Sequence, residues 1–332
     1  MNRRLFWRTS SQSIYCLHNY AFVFLISAFF LLFSFTYNEA VFGQGDNYLF
    51  IKKWGKAGEG NGEFDRPHDI DLNPSEKLLY IADTSNHRIQ VFDTNGTFVD
   101  SWGSKGDGDG KFNQPIGVSI DASGNVWVAD KDNHRIQVFD RDGKFIKKWG
   151  TEGTDDGKFN EPKHLVVDDA RNIVYVADTK NNRVQVFDTD GKFIKKWGTE
   201  GAGDGKFDVP IGIDLDSTGN VYVVDRGNFR VQKFDSNGTF ITKWGSEGTD
   251  DGQFLHIEYL DMDDSDNIFV ADDDTHRIQK FDSNGTFITK WGSEGEGEGR
   301  FNDPEHIAVD SNGTVYVTDA ENHNVQQFTL KE

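Results

Sequence analysis

Past residue 45 the chain alternates short apolar runs with polar breaks on a fixed beat. A representative stretch reads PIGVSIDASGNVWVADKDNHRIQVFDRDGKFIKKWG, Pro115 to Gly150. The apolar runs are rich in Val, Ile, Phe and Trp, the residues that suit a pleated, half-buried surface. Between them lie ASGN, KDN and RDG, breaks of hairpin length made of Gly, Asn and Asp. No run repeats at the 3.6-residue spacing of an amphipathic helix. The pattern therefore predicts four short antiparallel strands per unit.

The unit recurs. The phrase ADTSNHRIQVFD at Ala82 returns in close variants from Ala129, Ala177, Val224, Ala271 and Thr318, each 47 or 48 residues after the last. Four strands at this period are the mark of a propeller blade. First strands begin near Pro67, Pro115, Pro162, Pro210, Ile257 and Pro304, so six blades are expected. The last unit stops after its third strand, at Phe328–Leu330. The segment NYLFIKKWG, Asn47 to Gly55, is a fourth strand with no first three. The expected all-β fold is thus a six-bladed β-propeller of four-stranded antiparallel blades, closed by the N-terminal strand completing the last blade. Such closure hides two open sheet edges. Phe and Trp recur at fixed places in every unit and are expected to pack neighbouring blades together.

Residues 1–45 read differently. Arg3, Arg4 and Arg8 precede an apolar stretch, Tyr20 to Tyr37, which as a helix would span about 27 Å. A signal peptide and an N-terminal membrane anchor both fit. Either one exports residues 46–332, making the propeller extracytoplasmic, secreted or anchored. The single cysteine, Cys16, lies ahead of the apolar stretch. The propeller therefore has no disulfide and no thiolate metal site. A net charge of −20, from 35 basic and 55 acidic residues, opposes binding to nucleic acid. The expected partner is a protein, peptide or small ligand, with the membrane added if the leader stays attached.

The segment GDGDGKFNQPIGVSID…VWVADKDNHRIQVFDRDGKFIKKWG, Gly106 to Gly150, resembles the NHL repeat, and the resemblance extends over residues 47–332. It implies a six-bladed propeller. It implies no single function, because NHL propellers serve as protein or RNA recognition surfaces, extracellular sensors and, in one branch, amidating lyases.

Features shared by all blades, such as the Asp and Arg of the ADxxNxR phrase, are expected to hold turns together. A site must come from departures. The two residues after the first-strand proline depart most: His68–Asp69, Ile116–Gly117, Lys163–His164, Ile211–Gly212, Glu258–Tyr259 and Glu305–His306. First strands line a propeller's axis, so these positions face the channel mouth. The expected ligand-binding set is His68, Asp69, Lys163, His164, Glu258, Tyr259, Glu305 and His306. His68, His164 and His306 form a candidate zinc set, and the PHDI segment at Pro67 looks like one that carries a metal histidine in the amidating lyases. No catalytic constellation matches. The connectors GDGDGKF at Gly106 and GTDDGKF at Gly153 are acidic and glycine-rich but lack the spacing of an EF-hand calcium loop. Zinc and calcium are the candidate cofactors, and neither is fixed. Four Asn-Gly-Thr triplets, at Asn95, Asn237, Asn284 and Asn312, are candidate glycosylation sites in turns on the face opposite the mouth. The leading reading is a non-enzymatic recognition scaffold. The alternative is a metal-dependent lyase or hydrolase at the channel.

Overall fold

The computed structural model describes residues 48–73 and 75–331. The expected leader, residues 1–45, lies outside the described residues. Among the described residues no helix is long and apolar enough to cross a membrane.

Among the described residues twenty-four strands form six separate four-stranded antiparallel sheets. Five sheets are continuous in sequence, with inner strands Pro67–Asn73, Pro115–Ile120, Pro162–Asp168, Pro210–Leu215 and Ile257–Met262. The sixth contains inner strand Pro304–Val309, then Val315–Asp319, Asn324–Leu330 and, as its outer strand, Tyr48–Trp54. Tyr48 pairs with Leu330 and Trp54 with Val325, across one bulge between Phe50 and Lys52. The ring is closed as expected.

The hydrophobic core is divided into wedges between blades. One wedge joins Tyr80, Ala82, Ile89 and Val91 of blade 1 to Phe112, Val118, Val126, Val128 and Phe139 of blade 2, and five similar clusters complete the circle. Five of the six outer-strand tryptophans, Trp54, Trp102, Trp149, Trp197 and Trp244, lean on a hairpin of the next blade. A Cβ on Gly143 would lie 2.6 Å from the Trp102 ring. The hairpin needs glycine there both for that contact and for its φ of +76°. Among the described residues blade 6 has no such hairpin, because its third strand, Asn324–Leu330, and its outer strand, Tyr48–Trp54, are not consecutive in sequence. There Trp291 stacks on Tyr48 instead, with centroids 4.2 Å apart and planes 23° apart. One aromatic ring replaces the missing turn.

The repeated polar phrase is a staple, as expected. In blade 2, buried Asp130 accepts hydrogen bonds from Asn133 Nδ2 at 2.8 Å, Arg135 Nε at 2.7 Å and Gln137 Nε2 at 3.1 Å. The same guanidinium donates to the Gly108 and Lys111 carbonyls. It therefore ties the second-to-third-strand turn to the connector arriving from the previous blade. Buried charges are tolerable because every donor and acceptor is answered.

Candidate functional site

All six inner strands carry a register shift just after their first residue. A bulge breaks the strict alternation of a strand and re-aims side chains. The two residues after the proline position therefore both reach toward the axis, one layer at the mouth and one beneath it.

In the lower layer two of the six positions are Gly117 and Gly212. A Cβ at Gly117 would meet the Lys163 carbonyl oxygen at 2.5 Å, and one at Gly212 would meet Tyr259 Cα at 3.1 Å. Those glycines let neighbouring inner strands approach. The four larger residues, Asp69, His164, Tyr259 and His306, fill what remains of the bore, and all are buried. The imidazole centroids are 5.0 Å apart, and the Tyr259 ring lies 5.4 Å from each. Asp69 sits between the imidazoles, with His164 Nε2 3.1 Å from Oδ2 and His306 Nδ1 3.0 Å from Oδ1. The Val118 amide also donates to Asp69 Oδ2, at 2.7 Å.

Burial alone would raise the Asp69 carboxyl, but His306 and His164 together hold it well below the ordinary range. His164 moves the opposite way. Burial would lower it, and the Asp69 charge raises it above its usual value. Burial pushes the Tyr259 hydroxyl far up, so it stays protonated. Tyr259 Oη and His306 Nε2 are buried without a hydrogen-bond partner among the described residues, and Asp69 Oδ1 and His164 Nε2 have only the ion-pair contacts just given.

The mouth layer is arranged otherwise. His68 does not join the imidazole pair. Its Nε2 lies 3.3 Å from Glu305 Oε1 and its Nδ1 3.0 Å from the Arg66 carbonyl. Burial lowers its pKa to about 3, so the ring is neutral. Among the described residues two groups are close enough to share one ion, Asp69 with His164 and His306 in the bore and His256 with Asp273 and Asp274 nearer the surface, the ligand atoms of each lying within 4.8 Å of one another. Relative to the expected zinc set, the carboxylate next in sequence takes the place of His68. Glu258 is held by Arg226, 3.2 Å away, and by His256 Nδ1 at 3.3 Å. His256 also reaches Asp273 Oδ2, at 3.0 Å. The fifth blade thus begins at Ile257, with His256 as the last residue of the connector. Burial raises both Glu258 and Glu305 above the ordinary carboxyl range.

Beyond these layers lies a third that inspection of the two post-proline positions misses. Asp71, Asp214 and Asp261 stand two residues further along the inner strands of blades 1, 4 and 5. Asp71 Oδ2 accepts from the Ile120 amide and Asp261 Oδ2 from the Val309 amide. Burial is the main cause of their raised values, to about 7 for Asp71 and about 6 for Asp214. Asp261, beside Asp214 and Asp71, rises further. The signal in the sequence was a carboxylate inside a strand whose matching positions in other blades are Ser119, Val166 and Ala308.

The four candidate glycosylation asparagines are all exposed at hairpin tips. Each lies between a first and second or a third and fourth strand, the end of an antiparallel blade opposite the mouth.

The NHL repeat model matches residues 64–92, 112–139 and 301–328, and a 6-bladed beta-propeller model matches residues 167–244. No curated protein sequence matches the chain. Among solved structures, a streptogramin B lyase superposes with a TM-score of 0.59 at 12% identity, covering 85% of this chain and 98% of its own. A hydrazine synthase of Kuenenia stuttgartiensis gives 0.58 at 12%, covering 80% and 95%. A gluconolactonase of Xanthomonas campestris gives 0.61 at 13%, covering 80% and 86%. At such identities the likeness extends to the fold alone. With its ring of six blades and these repeat matches, the chain is a six-bladed β-propeller that carries NHL repeats.

Proposed function

We propose that this chain is an exported or membrane-tethered recognition scaffold that binds a protein, peptide or small ligand on the face carrying the channel mouth. The observation that carries this reading is where the blades differ. Packing positions and the ADxxNxR staple repeat almost unchanged, whereas the axial positions hold His68, Lys163, Glu258 and Glu305 beside plain isoleucines. A ring that only had to fold would need no such variety at one end of its bore. A single ligand bound there does. Export rests on the leader, and glycans on Asn95, Asn237, Asn284 and Asn312 would leave the mouth clear. Native mass spectrometry of the full chain from an exporting host tests the reading. A co-purifying mass that disappears in the His68→Gln/Glu305→Gln variant, with circular dichroism unchanged, is the expected result. The same mass retained by that variant rejects the mouth as the binding site.

The lower layer favours a second reading, a metal-dependent lyase or hydrolase. His164 Nδ1 lies 3.0 Å from the Ile213 carbonyl and His306 Nδ1 3.0 Å from the Ile70 carbonyl. In the tautomer with its proton on Nδ1, each imidazole donates to that carbonyl and leaves Nε2 unprotonated, as a metal ligand requires. Two such nitrogens beside a carboxylate fit zinc, which would polarise a carbonyl group or activate water there. Elemental analysis decides. About one zinc per chain, lost in His164→Gln/His306→Gln, supports the enzyme. A metal-free, ligand-binding chain removes it.

A further inference from the structure

A cavity opens on the mouth face, and Lys163 of the axial set forms part of its wall. Its volume is about 440 Å³, and its walls include Lys131, Lys163, Lys180, Arg226 and His256, with Glu161 as the only carboxylate among its lining residues. Such a concentration of cations is unexpected on a chain of net charge −20. It arises because three consecutive blades place basic residues at or just after the AD dipeptide's turn, as Lys131, Lys180 and Arg226, while blades 5 and 6 place Asp273, Asp274 and Glu321 there. One half of the mouth is basic and the other acidic.

Two further observations point to an occupant. Lys163 is half-buried, yet its ammonium makes no hydrogen bond or ion pair among the described residues. Enclosing a charge without a partner is costly. The second is Thr179, a fully buried wall residue whose hydroxyl has no hydrogen-bond partner among the described residues. The matching Thr84 of blade 1 donates to the Pro115 carbonyl at 2.7 Å. The other cations are partly engaged. Lys131 donates to Gln114 Oε1 at 2.7 Å and pairs with Asp132 at 3.2 Å, and Arg226 pairs with Glu258. Lys180 is exposed and unpaired among the described residues.

We propose that this cavity is an oxyanion site, in which Lys163 and Lys180, assisted by Lys131 and Arg226, hold the carboxylate or phosphate group of a small organic ligand. The proposal deepens the recognition reading, on which it rests for the choice of face. The cavity's size suits a small molecule. The acidic half of the mouth and the chain's overall charge repel polyanions such as nucleic acid, so the occupant is small.

The test titrates the full chain with inorganic phosphate and with citrate at constant ionic strength, by calorimetry and thermal melting. Saturable binding of either is expected, and the one that binds identifies phosphate or carboxylate as the preferred group. Lys163→Met should weaken binding by about tenfold or more, the loss expected for one charge-assisted hydrogen bond. It should also raise the melting temperature of the free chain, because an unpaired enclosed charge is gone. A residue serving only the fold would lower it. Lys180→Met, on an exposed side chain, should weaken binding severalfold without touching the fold, so a poorly folded Lys163 variant does not shelter the proposal. Unsaturable titrations with both anions, or equal affinity in both variants, overturn it. Because these variants leave His68 and Glu305 intact, the anion site and the axial-mouth reading fail by different experiments.

Discussion

Replacing Tyr48 by alanine removes the ring that stands in for the missing hairpin of the sixth blade. Tyr48 is 5% exposed. Its ring stacks on Trp291 at 4.2 Å and meets Phe269 edge-on at 5.9 Å. Its hydroxyl accepts a hydrogen bond from Lys280 Nζ at 3.2 Å. Truncating a buried aromatic costs about 3–5 kcal/mol, with the stacked pair contributing about 0.5–1.5 kcal/mol beyond buried area. Tyr48→Phe, which loses only the hydroxyl contact, should cost about 1 kcal/mol. Ile51 lies on the same strand but is 46% exposed, so Ile51→Ala should cost no more than about 0.5 kcal/mol. Urea unfolding followed by tryptophan fluorescence measures all three. The strand's backbone pairing with Asn324–Leu330 is common to the three variants, so their differences report side-chain sealing of the seam. If Tyr48→Ala loses no more stability than Ile51→Ala, the stacked rings do not secure the closure and the reasoning is wrong.

Two further expectations follow from the channel and the outer turns. The Asp71 carboxyl, raised to about 7, favours its protonated form in the fold; its contribution is complete below the ordinary carboxyl range and is lost as pH rises through about 7. At 1.36 kcal/mol per pH unit that is at most about 4 kcal/mol, less where channel water screens the group. Asp71→Asn should therefore flatten the decline of stability between about pH 4 and 8, and denaturation profiles parallel to the parent's would contradict this. Glycopeptide mapping of exported chain should find any glycan at Asn95, Asn237, Asn284 or Asn312, and a glycan on the mouth face would break the assignment of faces.

Much of this molecule was legible in one dimension. A 47- or 48-residue beat with turn residues between apolar runs determines four strands per blade, since strand period and hairpin chemistry are local properties. The orphan segment at Tyr48–Trp54 and the truncated last unit determined the closure, because each lacks what the other has. Alignment on the proline also identified the axial residues. What it could not supply was which of them meet. Asp69 faces His164 and His306, from strands about a hundred or more positions away in the chain, because Gly117 and Gly212 narrow the bore and leave space for only four side chains. His68, one residue earlier, pairs with Glu305 instead. The third layer of Asp71, Asp214 and Asp261 and the basic cavity around Lys163 arise the same way, from proximity between blades that carries no local signature. Backbone periodicity and turn chemistry are written residue by residue. Charge clustering around an axis is decided only when the ring closes.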